Sequence, residues 1–160
     1  MPGTSPTLLI LGLGNDILTD DAIGLHVARL LREELAEHPE IEIRETTEMG
    51  LALLDHLTGF PAAVIIDSIQ TRRAEPGFIH RLEPDSVKQL SGRTPHFVGV
   101  GETLTAGRQL GLEMPQTVRI FAIEIADPFT IGANLSPSLS QALPSIVQTI
   151  GQEVKSMLAK

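Results

Sequence analysis

The sequence predicts a three-layer α/β/α domain with a mainly parallel sheet of roughly five strands. Segments typical of strands and of helices alternate along the chain, which is the pattern of an α/β fold. Two strand segments are apolar on both faces, as expected at the centre of a parallel sheet that is covered on both sides. A chain of 160 residues without a linker, repeat or low-complexity segment fits one well-filled core. We therefore expect a single domain over residues 1–160.

Hydrophobic periodicity predicts the elements of the first half of the chain. An apolar run is followed by apolar residues spaced three and four apart, the stripe of an amphipathic helix. Thr19 or Asp20 can cap that helix. The predicted elements are, in order, a strand over 7–13, a helix over 21–37, an edge strand over 41–47, a short helix over 50–57 and a buried strand over 62–67 that ends on Asp67.

The second half adds the remaining strands and two helices. Its predicted elements are an antiparallel strand or hairpin arm over 77–84, a loop over 91–96, a helical stretch to about Gly111, a strand over 117–125 and a closing helix. Ser136 is the expected cap of the closing helix, with Pro137 at its first position. Pro144 and Gly151 lie inside its apolar pattern and weigh against an unbroken helix.

Composition and charge exclude several classes of function. The formal net charge of −8 offers no electrostatic footprint for nucleic acid or for an anionic membrane surface. The first residues lack the basic segment of a signal peptide, and no apolar run approaches the roughly 18 residues that span a bilayer. We therefore expect a cytoplasmic protein without nucleic-acid or membrane partners. Because the sequence has no cysteine, a metal site must use carboxylate, imidazole or backbone oxygen.

Acidic residues follow two strands that the predicted sheet brings side by side. Ligands of such sheets bind beyond the carboxyl ends of the strands, where the strand order reverses. In the common order 2-1-3, Asp20 and Asp21 after the first strand converge there with Asp67 at the end of the third. His96 follows Pro95 at a helix start, on a loop with little expected packing. Its imidazole can complete a cluster with two carboxylates, one from the acids after the first strand and one from Asp67.

Each of these side chains also has a purely structural interpretation. Asp20 and Asp21 can be helix caps, although one acid is enough for that role. Asp67 can cap the loop beside Ser68, and His96 can be a structural histidine. The other histidines carry no functional assignment; those in helical patterns are His26 and His56, and those expected to be exposed are His38 and His80.

The stretch GLGNDI at residues 12–17 begins like a dinucleotide-binding motif but departs from it. Ile17 stands where the third glycine is needed, and two acids stand where a phosphate would meet the helix. Gly12 and Gly14 are therefore assigned to a tight turn, with Asn15 hydrogen-bonded to nearby backbone. The sequence also lacks HExxH and GxSxG motifs, which excludes ordinary zinc proteases and serine hydrolases.

Four stretches of the chain, in order, resemble one family: LGLGNDILTDDAIGLHVARLL, AAVIIDSI, TPHFVGV and NLSPSL. Together they span most of the chain and are similar to the hydrogenase maturation proteases. Members of this family are endopeptidases that remove the carboxyl-terminal extension of the large subunit of nickel-iron hydrogenases after nickel has been inserted. The resemblance implies peptide-bond hydrolysis, with a hydrogenase large-subunit precursor as the partner.

The residues of the family motifs carry over onto this sequence one by one. The glycine-rich motif falls on Gly12, Gly14, Asn15, Leu18, Asp20, Asp21 and Gly24. The resemblance implies that Asp21, Asp67 and His96 contact nickel, which the precursor supplies and the free protein does not hold tightly. Asp21 or Asp67 is the candidate general base, and a direct role of nickel in polarising the scissile carbonyl stays open. The sequence departs from the family at ETTEMG, where Glu45 and Glu48 lie near the place of a family aspartate.

Two other functions stay open on the sequence. Peptidyl-tRNA hydrolases also begin with a strand and GLGN, but they continue with a different motif, and an acidic chain suits tRNA poorly. A non-enzymatic nickel-sensing or chaperone module can use the same three ligands. Turnover of a nickel-loaded precursor distinguishes an enzyme from such a module.

Overall fold

The computed structural model of the protein describes Gly3, residues 5–85 and residues 96–159. Its elements are β1 (Leu8–Leu13), α1 (Ile23–Glu34), β2 (Ile41–Thr46), a 3-10 turn (Gly50–Leu53) that continues into α2 (Leu54–Leu57), β3 (Ala62–Ile69), β4 (Ile79–Leu82), α3 (Val100–Gln109), β5 (Thr117–Glu124) and α4 (Pro137–Leu158). The predicted strands and helices are present, with ends shifted by a few residues. Most of the loop predicted over 91–96 lies outside the described residues.

The five strands form one sheet in the order β2-β1-β3-β5-β4. β1, β2, β3 and β5 are parallel, and β4 pairs antiparallel with β5. This confirms the predicted mainly parallel sheet and places β1 between β2 and β3. The carboxyl ends of the four parallel strands meet at one edge of the sheet, called the carboxyl edge below, and the strand order reverses there at β1 and β3.

Helices cover both faces of the sheet, which confirms the three-layer architecture. α1 and α4 pack on one face around buried side chains such as Ile10, Val64 and Phe121. The 3-10 turn, α2 and α3 pack on the other face, where Ile65 and Phe97 are fully buried. Complete burial of each such side chain stabilises the fold by about 1.5–3 kcal/mol. Among the described helices, none is both long enough and apolar enough to cross a membrane.

Two glycines allow α1 to lie directly against the sheet. A Cβ atom on Gly24 would overlap the carbonyl oxygens of Leu13 and Ile66. A Cβ atom on Gly12 would lie 2.5 Å from the carbonyl oxygen of Gly24, across the same contact. Gly12 lies within β1, so the turn predicted for it is wrong, and its role is to permit this close packing. The close approach places the start of α1, which follows Asp21, over the ends of β1 and β3.

The predicted closing helix is present as α4, which continues without a break through Pro144 and Gly151. Pro144 is exposed and removes only one backbone hydrogen bond. Side chains such as Leu139 and Ile150 are buried on either side of it and hold both halves of the helix against the sheet layer. Ser136 and Pro137 occupy the predicted first positions, although the Ser136 side chain makes no cap hydrogen bond within the described residues.

The last residue of β5 is a buried glutamate that ties together three segments near the carboxyl edge. Oε1 of Glu124 accepts hydrogen bonds from Thr71 Oγ1 at 2.5 Å and from His80 Nε2 at 2.9 Å. Its Oε2 accepts hydrogen bonds from the backbone N–H groups of Thr71 at 2.8 Å and Arg72 at 3.2 Å. Burial raises the pKa of Glu124, but these hydrogen bonds outweigh it and hold the pKa below its ordinary value. His80, like His38, is half-buried, so the expectation that both are exposed is wrong.

Acid is expected to weaken the fold through Glu124. Because its pKa is lower in the folded chain than in the unfolded chain, its stabilising contribution is complete above the ordinary glutamate pKa. That contribution is lost as the pH falls through the lowered value. At about pH 7, Glu124→Gln should reduce the free energy of unfolding by about 1–3 kcal/mol, since an amide cannot accept from all of these donors. Urea unfolding should show this difference shrinking in acid, and a difference independent of pH would contradict the assignment.

Candidate active site

Asp21 lies between β1 and α1 and is buried. Its Oδ2 accepts a hydrogen bond from the backbone N–H of Asn15 at 3.1 Å, and its Oδ1 accepts one from Ser68 Oγ at 2.8 Å. Ala22 occupies the N-cap position of α1, so the interpretation of Asp21 as the cap of that helix is wrong. A Cβ atom on Gly14 would lie 2.6 Å from the Asp21 carbonyl oxygen, so this glycine lets the turn fold over the acid.

Asp67 lies two residues before the end of β3 and is fully buried. Its Oδ1 accepts a hydrogen bond from the backbone N–H of Ser68 at 2.8 Å, and its Oδ2 accepts one from the backbone N–H of Phe97 at 3.1 Å. Burial raises the pKa of Asp67 above its ordinary value, although the nearby His96 and the Ser68 N–H act in the opposite direction. This carboxylate therefore takes up a proton more readily than an exposed aspartate does.

His96 lies between the two carboxylates. Its Nε2 is 3.7 Å from Oδ2 of Asp21, and its Nδ1 is 3.3 Å from Oδ1 of Asp67. His96 is only 8% exposed, so the expectation of a loop residue with little packing is wrong. It starts the turn that leads into α3, which begins at Val100. The structure thus brings together at the carboxyl edge the three side chains that the sequence singled out as one cluster.

Asp20 makes a different contact from the one predicted. Its Oδ1 accepts a hydrogen bond from the backbone N–H of Ser136 at 2.8 Å, at the start of α4. Within the described part of the chain no side chain caps α1, so the expected capping by Thr19 or Asp20 is wrong. Asp20 is fully buried, and among the described residues its Oδ2 has no hydrogen-bond partner. The positive end of the α4 dipole favours a carboxylate there, so Asp20 fastens the segment that carries Asp21 to α4.

Loss of the hydrogen bond between Asp20 and the backbone N–H of Ser136 is expected to reduce the stability of the fold. Asp20→Ala leaves the half-buried N–H of Ser136 without its acceptor, which should lower the free energy of unfolding by about 1–3 kcal/mol. Asp20→Asn keeps an oxygen that can accept the same hydrogen bond and should lose less. Urea unfolding of both variants tests this difference. An alanine variant as stable as the parent would show that the contact contributes nothing.

Ser68 belongs to the site, although the sequence analysis considered it only as a neighbour of Asp67. Its hydroxyl donates to Asp21 and its backbone N–H donates to Asp67, so one residue holds both carboxylates in place. The signal in the sequence is its position directly after an acid at the end of a buried strand. The same position also fits an ordinary loop cap, and only the structure shows the contact with Asp21.

The two acids near the place of the family aspartate have other described partners. Glu45 forms salt bridges with Arg29, at 2.7 Å, and with Arg32, which join β2 to α1. Glu48 lies 3.3 Å from Nε2 of His56 in an exposed pair. These contacts are structural ties at the β2 side of the sheet, in contrast to the buried cluster.

The cluster offers carboxylate oxygen and imidazole nitrogen, a donor set that nickel and similar divalent ions accept. Within Gly3, residues 5–85 and residues 96–159, no three acid, histidine or cysteine side chains are already arranged to hold a metal ion. The His96 ring stands between Asp21 and Asp67, with one nitrogen toward each acid. Coordination of one ion by all three side chains therefore requires the ring to turn out of this gap.

The fold and the site define the class of protein as an α/β domain with a carboxylate and imidazole cluster at the switch point of its sheet. The hydrogenase maturating endopeptidase HybD from E. coli has this fold, with a TM-score of 0.75 and 24% identity over 94% of this chain and 93% of that chain. The [NiFe] hydrogenase maturation protease HybD from Thermococcus kodakarensis also has it, with a TM-score of 0.67 and 24% identity over 96% of this chain and 99% of that chain.

Sequence comparison identifies the family within this class. A family model described as hydrogenase maturation protease matches residues 25–153. The Hydrogenase 2 maturation protease of Escherichia coli (strain K12) is 28% identical over 148 residues, which cover 87% of this chain and 90% of that protein. The chain belongs to the hydrogenase maturation protease family and is a peptide hydrolase. This confirms the resemblance carried by the sequence motifs and favours it over that to peptidyl-tRNA hydrolases.

Proposed function

We propose that this enzyme removes the carboxyl-terminal extension of a nickel-loaded [NiFe] hydrogenase large-subunit precursor. The observation that carries the proposal is the buried cluster of Asp21, Asp67 and His96 at the carboxyl edge. Its oxygen and nitrogen donors match a nickel ion that the precursor brings with it. Membership of the hydrogenase maturation protease family, together with relatives named for the maturation of hydrogenase 2 and of [NiFe] hydrogenase, supports this class of substrate.

Nickel acts as a recognition element in this proposal. Two buried carboxylates are costly without a positive partner, and in the free protein His96 lies against both of them. A nickel-loaded precursor supplies a cation to replace that contact, whereas a nickel-free precursor supplies none. Three ligands without thiolate bind a free ion weakly and leave coordination positions for groups of the precursor.

One of the two carboxylates serves as the general base in this proposal, and we assign this role to Asp67. Burial raises the pKa of Asp67 above its ordinary value, so its carboxylate is suited to accept a proton from the attacking water. The water oxygen then bonds to the scissile carbonyl carbon, and the proton passes from Asp67 to the leaving amine as the C–N bond breaks. The backbone N–H groups of Ser68 and Phe97 hold the carboxylate in place during both transfers.

Incubation with nickel-loaded and nickel-free large-subunit precursors, followed by mass spectrometry of each product, tests the function. We expect loss of the extension from the nickel-loaded precursor alone. Equal cleavage of both precursors would contradict nickel recognition. Tight binding of the nickel-loaded precursor without cleavage would contradict the proposed processing and identify the nickel-sensing or chaperone alternative.

Removal of metal is expected to leave the free enzyme folded. The cores on both faces of the sheet consist of apolar side chains, which stabilise the fold without an ion. Circular dichroism spectra and the unfolding transition should therefore be the same with and without a chelator. Unfolding upon chelation would show that the metal is part of the resident structure and is not supplied by the substrate.

A further inference from the structure

The last three residues of β3 extend beyond the end of its pairing with β1. β1 pairs with β3 only as far as Ile66, whereas β5 pairs with β3 up to its last residue, Ile69. Residues 67–69 are called the overhang below, and among the described strands β5 alone pairs with them. The overhang contains Asp67 and Ser68. The positions of these two site residues therefore depend on contacts from the side of β5.

The side chain of Glu124, opposite Ile69 at the end of β5, binds the chain that follows the overhang. Its carboxylate accepts hydrogen bonds from the hydroxyl of Thr71 at 2.5 Å, from the N–H of Thr71 at 2.8 Å and from the N–H of Arg72 at 3.2 Å. His80 of β4 holds the same carboxylate through Nε2 at 2.9 Å. A carboxylate that is buried and held from two sides thus fixes the path of the chain directly after the overhang.

The chain after the overhang has a conformation that needs such contacts. Arg72 has a φ of 62°, and it is the one described residue other than glycine with a positive φ. This left-handed conformation costs free energy for a residue with a side chain, and it persists where surrounding contacts impose it. The carboxylate of Glu124 holds the N–H of Arg72. Without that carboxylate, Arg72 is free to return to an ordinary conformation, which changes the direction in which the chain leaves Ile69.

Ser68 connects the position of the overhang to the rest of the site. Its hydroxyl donates to Oδ1 of Asp21 at 2.8 Å, and a displacement of about 1 Å is enough to break a hydrogen bond of this length. Asp67 has a support outside the overhang, because it accepts from the N–H of Phe97 at 3.1 Å. The contact between Ser68 and Asp21 depends instead on where the overhang lies.

We propose that Glu124 is a positioning residue for precursor processing, which holds the overhang so that the Ser68 hydroxyl keeps the Asp21 carboxylate in place. This inference rests on the proposed function. A misplacement of about 1 Å that originates far from the reacting atoms can lower a rate by about a hundredfold. A glutamate that only stabilised the fold would change the folded fraction and would leave the geometry of the site in folded molecules as it is.

A double-mutant cycle between Glu124→Gln and Ser68→Ala tests this assignment with a nickel-loaded precursor. Glutamine loses one of the two acceptor oxygens, and alanine removes the hydroxyl that donates to Asp21. The kcat of each variant is expressed per folded molecule, with the folded fraction taken from urea unfolding. We expect kcat to fall at least about tenfold in each single variant, and the double variant to be no slower than the slower of the two. Independent effects would multiply to about a hundredfold and would overturn positioning through Ser68.

The amide signal of Asn15 reports on Asp21 in the absence of any precursor, because the N–H of Asn15 donates to Oδ2 of Asp21 at 3.1 Å. Asn15 follows β1, which lies two strands away from β5, roughly 10 Å across the sheet. In the nitrogen–proton correlation spectrum of the free enzyme, Glu124→Gln and Ser68→Ala should both shift this signal. A change confined to the folded fraction would leave its position in the folded enzyme unchanged.

The matched control is Glu153→Gln. Glu153 of α4 also holds β4, through Arg81 at 2.7 Å, but it does so opposite the middle of β5. This variant should keep the parent kcat and the parent Asn15 signal. A milder second variant, Thr71→Val, removes the hydroxyl that donates to Glu124 and should lower kcat by less than Glu124→Gln does.

A folded Glu124→Gln variant with the parent kcat would overturn the positioning role while the proposed function stands. A lower kcat with an unchanged Asn15 signal would overturn the connection to Asp21. If Glu124→Gln does not fold, Thr71→Val with the parent kcat and the parent signal would overturn the proposal in its place. A parent enzyme that cleaves no nickel-loaded precursor would instead overturn the function on which the inference rests, and a shifted Asn15 signal would still support the connection between Glu124 and Asp21.

Discussion

Processing of the nickel-loaded precursor is expected to fall by at least about a hundredfold when His96 is replaced by alanine, since even residues that only support a metal ligand cost about 10–100-fold when lost. The replacement removes the nitrogen donor of the proposed set and leaves two carboxylates. Oxygen ligands alone match nickel less well than a mixed site does. The loss should appear with nickel-loaded precursor at every concentration tested, and mass spectrometry of the product measures it.

His96→Ala should also cost some stability. His96 is 8% exposed and lies 3.3 Å from Asp67, so its removal leaves a cavity and a buried acid without its imidazole neighbour. A cost of about 1–3 kcal/mol is expected, and chemical denaturation measures it. The variant should therefore be assayed well below its unfolding temperature, where loss of activity reports on the site itself.

The matched control for this variant is His38→Ala. His38 is half-buried and lies 3.1 Å from Oε1 of Glu40, at the opposite end of the parallel strands from the cluster. It should keep full processing activity with a small change in stability. If His96→Ala remains folded and processes the precursor at the parent rate, His96 is a structural histidine and the proposed recognition of nickel is wrong.

The fold was predictable because its signals lie within single segments. The doubly apolar strands and the helical stripes each require only local periodicity, and the rule for open parallel sheets then places residues after β1 and β3 at one edge. That rule was sufficient to bring Asp21 and Asp67 together. His96 was included in the predicted cluster because it lies between Pro95 and a helix, where no stripe of apolar residues accounts for a histidine.

The remaining features depend on contacts between segments that are distant in the sequence. Asp20 and Asp21 stand at the same helix start, yet one accepts from Ser136, which follows it by 116 residues, and the other accepts from Ser68, which follows it by 47. Local capping rules cannot choose between such partners. The Glu124 contact was missed for the same reason, because a glutamate in a strand pattern gives no sign that Thr71 and His80 approach it.

Asp21→Asn is expected to abolish processing while leaving the fold almost unchanged. Asparagine has the same shape, and its oxygen can still accept the hydrogen bond from the N–H of Asn15. Its amide group then faces the hydroxyl of Ser68, which can accept a hydrogen bond as well as donate one. Both of these hydrogen bonds therefore survive, and the free energy of unfolding should change by less than about 1 kcal/mol. Only the negative charge that attracts the cation is lost.

Two further asparagine variants show whether the charge of Asp21 is specific to the site. Asp20→Asn keeps the acceptor for Ser136 at a position outside the ligand set, and it should process the precursor at nearly the parent rate. Asp67→Asn should lose both activity and stability. Each oxygen of Asp67 accepts a hydrogen bond from one backbone N–H group, and asparagine replaces one of these oxygens with an NH2 group that cannot accept. A stable Asp21→Asn variant with the parent rate would show that Asp21 only organises the turn, since its hydrogen bonds are kept and its charge is gone. A stable and inactive variant, beside an active Asp20→Asn, assigns the lost function to that charge.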